Sequence, residues 1–126
     1  MRGIKLENII ETLEINRKIN FLYDVKICEE KQRLEELEKY YINKIKKNAD
    51  LEYKTNRKEE IIRIRSEIEK SYKEYDYKKE VINEKIRNLL EEKIIKLKEN
   101  MEKNKEIKDF FEEYKEKKEE IFTNLV

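Results

Sequence analysis

Between Lys44 and Lys58 the chain carries six basic residues, Lys44, Lys46, Lys47, Lys54, Arg57 and Lys58, against only Asp50 and Glu52. Tyr40, Tyr41 and Tyr53 lie close by. Cations that neutralise phosphates and rings that stack on bases are the two ingredients of a sequence-tolerant nucleic-acid surface. The same residues also suit a solvated helical turn, in which lysines complement the negative end of a helix dipole. Tyr77 is a different kind of candidate. It falls off the apolar seam described below, and an exposed tyrosine brings a large ring and a polar tip to a protein interface.

Other chemistries are poorly supplied. The chain has no histidine, which removes Ser-His-Asp and Cys-His nucleophile systems, His-containing metal sites and the Glu-x-x-His di-metal sites of helical bundles. One glycine and no proline leave nothing to build a phosphate-cradling loop. Acidic neighbours such as Glu29/Glu30, Glu35/Glu36 and Glu112/Glu113 point in different directions around a helix and read as solvated surface. Cys28, the single cysteine, reads as a small buried hydrophobe. No catalytic residue, cofactor, metal ligand or small-molecule substrate is expected.

The charge balance limits the partners. Lys and Arg total 31 and Asp and Glu 30, so no global field steers the protein to nucleic acid or an anionic membrane. Near-zero net charge also favours self-association. No stretch approaches the roughly 18 apolar residues of a membrane span. The first residues place Glu7, Glu11 and Glu14 where a signal peptide needs an apolar block, and one cysteine cannot close an intrachain disulfide. A cytoplasmic location is the expectation.

These residues must be carried by long helices. Of the 126 residues, 48 % are charged and 37 % hydrophobic, and the two strongest chain breakers are almost missing. A first helix is expected over about 6–47, where Leu34, Leu37, Tyr41 and Ile45 recur at spacings of three and four. A turn is expected over about 48–55, from the cap-forming Asn48, Asp50, Thr55 and Asn56. The second helix, about 56–103, has the seam Ile61, Ile64, Ile68, Tyr72, Tyr75, Ile82, Ile86 and Leu89, slipping by one residue to Leu90, Ile94, Leu97 and Met101. Asn100 and Asn104 mark a weaker break. A third helix over 105–124 then offers Ile107, Phe111, Tyr114, Ile121 and Leu125, widened by Phe110 and Phe122. Glu-to-Lys pairs at i,i+4, among them Glu35/Lys39 and Glu69/Lys73, support solvated helical faces.

The stretch "KINFLYDVKIC" (Lys18–Cys28) alternates like a strand, yet no second segment could pair with it. Read as helix, it places Asn16, Asn20 and Asp24 on one polar arc and apolar residues around the rest. Ile19, Leu22 and Val25 should then be buried and Asn20 and Asp24 wet, with the third helix or a second copy covering the broad face. A turn centred near residue 51 would set Leu34 at the level of Ile68 and Ile27 at the level of Tyr75.

The sequence therefore predicts a single all-α domain: a long antiparallel, coiled-coil-like hairpin with a shorter third helix packed on its N-terminal half. Its function reads as a non-enzymatic interaction module, binding a protein partner or itself through a helical face or the hairpin tip. The speculative contact residues are Tyr40, Tyr53, Tyr77, Lys44, Lys46, Lys47, Lys54, Arg57 and Lys58. Two alternatives remain, a nucleic-acid-associated protein using the basic tip and a small phage-type or regulatory inhibitor that occludes a larger enzyme complex.

Overall fold

The computed structural model describes residues 6–103 and 105–125, which form three helices: α1 (Leu6–Lys54), α2 (Lys58–Glu102) and α3 (Lys105–Leu125). The fold is all-α. Helices α1 and α2 pack as a long antiparallel hairpin, and the shorter α3 packs alongside. The chain divides into two compact units, one of Val25–Leu89 and one of Met1–Asp24 with Leu90–Val126. We call these the turn unit and the terminal unit.

Helix α1 runs through Asn48 and Asp50, where the sequence predicts a turn, and ends only at Lys54. The weak helix propensity of Asn and Asp, about 0.5 kcal/mol each, yields to packing because Asn48 is half-buried on the seam. The connection is instead three residues long. Thr55 closes α1, its Oγ1 donating to the Leu51 carbonyl at 2.7 Å and its N–H to that of Glu52 at 3.2 Å. The Arg57 carbonyl accepts the Ile61 N–H at 3.0 Å, so Arg57 rather than Asn56 stands at the N-cap of α2. Arg65 Nε reaches back to Glu52 Oε1 at 2.6 Å and ties the two helices beside the turn.

The later turn changes the register. Cross-helix pairs such as Tyr41 with Glu74 and Asp24 with Lys93 replace the predicted Ile27–Tyr75 level. The displacement is close to two heptads, so the helices keep nearly the same faces toward each other.

In the turn unit, Tyr41 and Ile64 are buried, together with Ile27 and Ser71. Ile61, Ile68, Tyr75, Ile82, Ile86 and Leu89 are half-buried, as the seam requires. Tyr72 is 57 % exposed, whereas Ser71 is 1 % exposed. Continuing by three and four from Ile64 and Ile68 leads to Ser71 and Tyr75, so phase outranks side-chain size. Ser71 Oγ has no hydrogen-bond partner, and neither has Glu30 Oε2, although Glu30 Oε1 accepts from Arg33 Nη1 at 2.7 Å. Glu30 thus departs from the solvated-surface expectation. Cys28, one residue past the buried Ile27, is exposed.

In the terminal unit the seam follows the predicted slip only in part. Leu97 and Met101 are half-buried as expected, but Leu90 and Ile94 stay exposed while Lys93 and Asn100 are half-buried. Helix α1 presents Ile9, Thr12, Asn16, Ile19 and Tyr23. Of the polar arc of the "KINFLYDVKIC" region, Asn16 and Asn20 turn inward and are half-buried, Asn20 against expectation, whereas Asp24 is exposed as expected and accepts from Lys93 Nζ at 2.9 Å. Leu22 is exposed, as is Val25 in the turn unit. Asn100 lies inside α2 and is a seam residue, not a cap. The expectations for Ile107, Phe110, Phe111, Ile121, Phe122 and Leu125 concern side chains outside the described residues. Tyr114 is exposed.

Candidate interaction surface around the turn

All nine sequence-predicted contact residues fall in the turn unit. Its interior is held by a network of tyrosines and carboxylates that sequence periodicity registers only as core. Tyr41, 2 % exposed, donates from Oη to Glu74 Oε2 at 3.3 Å. Tyr75 donates the other way across the seam, to Glu38 Oε1 at 3.1 Å. Lys78 Nζ donates to Tyr41 Oη at 2.9 Å, and the Tyr41 and Tyr75 rings lie 5.9 Å apart. Each helix thus supplies one tyrosine and one carboxylate.

This arrangement perturbs two groups. Burial, then the hydrogen bond to the Glu38 carboxylate, raises the Tyr75 phenol above its ordinary 10.0. The hydrogen bond to the Tyr41 oxygen raises Lys78 above 10.5. Lys79 sits with Nζ 5.7 Å from the Tyr75 ring, its stem along the seam and its charge over the ring face.

The candidate residues separate into three groups. Tyr40 packs edge-on against Tyr41, centroids 5.0 Å apart and planes at 88°, and Lys44 Nζ lies 5.9 Å from the Tyr41 centroid. These two belong partly to the network. Lys46, Lys47, Lys54, Arg57 and Lys58 are all exposed, and Tyr53 is 92 % exposed. Glu52 is engaged by Arg65, and the exposed Asp50, Glu59 and Glu60 stand among the cations, so the turn presents charges of both signs and one bare ring. Tyr77, 74 % exposed, lines a separate surface groove of about 510 Å³ with Ser66, Glu69, Lys70, Lys73 and Glu74. None of the other eight candidates lines that groove.

Sequence reasoning misses Glu38, Glu74 and Lys78 as partners of the buried tyrosines. The available signal was a tyrosine and a carboxylate three residues apart on α1 and adjacent on α2. Arg33 also pairs with Glu30 and not with Glu29, whereas Glu35–Lys39 at 3.5 Å and Glu69–Lys73 at 3.2 Å form as the spacing predicts.

Among the described residues no group of three or more His, Cys, Asp or Glu side chains could hold a metal ion, and no helix is long and apolar enough to cross a membrane. No protein-family model, curated protein or solved structure matches the chain.

Proposed function

We propose that this chain is a non-enzymatic helical interaction module, which meets a protein partner through tyrosines standing clear of its charged surface. The observation that carries this reading is the contrast between Tyr41, sealed in the seam, and Tyr53 and Tyr77, almost wholly in solvent. A tyrosine that contributes nothing to packing still offers a large, rigid contact surface at low entropic cost. Its neighbours are charges of both signs, which suits a protein surface better than a polyanion.

The test is a binding comparison between the wild-type chain and the Tyr53→Ala/Tyr77→Ala double variant, both immobilised in native-host lysate. Both side chains are exposed, so helicity should be unchanged. The reading expects a protein species retained by wild type at raised salt and lost from the double variant. Equal retention by both, or none, rejects it.

A second reading follows from the exposed Lys46, Lys47, Lys54, Arg57 and Lys58 beside Tyr53. Here the ligand is single-stranded nucleic acid, with phosphates on the cations and a base on the ring. Affinity would then fall with salt at a logarithmic slope of about −0.7 per phosphate neutralised. Glutamine at Lys54, Arg57 and Lys58 would flatten that slope, while Tyr77→Ala would leave it unchanged.

A further inference from the structure

The first turns of α1 leave their larger apolar side chains outside the seam. Phe21 is 73 % exposed, and Leu6, Ile10, Leu13 and Leu22 are exposed as well. Single exposed apolar side chains are ordinary on a protein surface, whereas five on one helical stretch form a patch of the kind that marks an interaction site.

The charges on the same stretch say what could cover it. From Leu6 to Leu22 the charged residues are Glu7, Glu11 and Glu14, followed by Arg17 and Lys18, all exposed. Acids come first and bases second, with no interleaving. At 100° per residue, Ile10, Glu14, Arg17, Lys18 and Phe21 share an arc of about 100°. Glu14, Arg17, Lys18, Phe21 and Leu22 line one groove of about 740 Å³. A helix face with this order is complementary to itself when reversed and repels itself when parallel.

We infer that the α1 face around Glu14, Lys18 and Phe21 docks a second copy of this chain, antiparallel about a twofold axis near the level of Asn16. In that pairing Glu14 of each copy meets Lys18 of the other, and each Phe21 packs beside Ile10 of the other. The near-zero net charge leaves little long-range repulsion to oppose it. The inference rests on the reading of the chain as an interaction module and assigns one of its surfaces to self-association. The turn tyrosines remain available to another partner.

The test is the mass of the full chain by light scattering across a concentration series, with far-UV circular dichroism to confirm helicity. Wild type should approach twice 15.7 kDa. Glu14→Lys and Lys18→Glu should each weaken the dimer by about tenfold, as one like-charge contact repeated by symmetry requires. The double exchange should restore it, and mixing the two single variants should give a heterodimer. Phe21→Ser should also dissociate the dimer without loss of helix. The exposed Cys28 supplies the orientation: spin labels on two copies should lie about 36 Å apart along the helices, whereas a parallel, in-register pair brings them to about 10 Å.

A wild-type chain that remains at monomer mass overturns the inference. So does a dimer indifferent to the charge exchanges and to Phe21→Ser, or one with the short label distance. A monomer that retains its Tyr53- and Tyr77-dependent capture sinks the dimer alone. A dimer formed as described, without such capture, sinks the partner reading alone.

Discussion

The turn unit and the terminal unit use the same two helices at the same period, yet join them differently. In the turn unit the cross-helix polar groups are attached to rings. Tyr41 and Tyr75 fill the seam and use their hydroxyls on Glu74 and Glu38, so one side chain supplies both apolar burial and a hydrogen bond. In the terminal unit Tyr23 is again a buried ring on the seam, and small amides supply further cross-helix hydrogen bonds. Asn100 Nδ2 donates to Asn16 Oδ1 at 2.7 Å and to the Thr12 carbonyl at 3.1 Å. Thr12 Oγ1 is itself turned back onto the Asn8 carbonyl at 2.9 Å. Amides and a threonine bury little apolar surface, and Leu6, Ile10, Leu13, Phe21 and Leu22 of that part of α1 face solvent, although Tyr23 is buried and Ile9 and Ile19 are half-buried. The two units thus differ in what fills the seam, rings that carry their own hydroxyls in the turn unit and amides beside Tyr23 in the terminal unit, while both leave apolar side chains in solvent, Ile42, Leu51 and Ile62 in the one and Leu13, Phe21 and Leu22 in the other.

The largest effect should come from the residue that serves both purposes. Tyr41→Ala removes a buried ring and leaves Glu74 and Lys78 without their shared oxygen, at a cost of about 3–5 kcal/mol. Urea unfolding of the wild type and variant measures it. A loss below about 1 kcal/mol would mean that the tyrosine network is not what holds the turn unit.

A smaller effect of opposite kind is expected at the asparagines. Asn100→Leu alone leaves Asn16 Oδ1 without its donor and should cost about 1 kcal/mol. Asn16→Leu together with Asn100→Leu should recover that loss and add about 1–2 kcal/mol, because two apolar seam residues replace a polar pair. The gain should come with a broader set of registers, visible as heterogeneous amide resonances, since a hydrogen-bonded asparagine pair on the seam selects one alignment. A double variant as unstable as the single one would remove the distinction between the two seams.

The smallest effect is alkaline and belongs to the turn unit. Tyr75 and Lys78 both titrate higher in the folded chain than in the unfolded one. For each, the favourable contribution is complete below its ordinary value and disappears as pH rises through the folded value. Stability should therefore fall above about pH 10, and Tyr75→Phe should remove the tyrosine part of that fall. Superimposable alkaline profiles of wild type and Tyr75→Phe would contradict the assignment.

Much of this architecture is legible in the sequence. The scarcity of glycine and proline and the three-four spacing of Ile61, Ile64 and Ile68 are enough for long packed helices. What periodicity does not show is which polar residues occupy the seam. It selects Tyr72 over Ser71 and Leu90 over Lys93 because it weighs apolar size, whereas the seam keeps its phase and admits polar side chains, Lys93 and Asn100 with a partner on the facing helix and Ser71 without one. The turn is misplaced for a related reason, since Asn48 and Asp50 carry turn chemistry that packing overrides. The tyrosines and lysines around the turn are conspicuous in the sequence, but the separation of Tyr77 from the others requires the folded helices.

Hydrogen exchange at two protein concentrations tests most directly whether a second copy docks on the terminal unit and not on the turn unit. Protection around Tyr41 and Tyr75 should be independent of concentration, and protection of the Leu6–Leu22 stretch should rise as concentration increases. Protection that is unchanged over Leu6–Leu22, or that rises around Tyr41 instead, would contradict that docking.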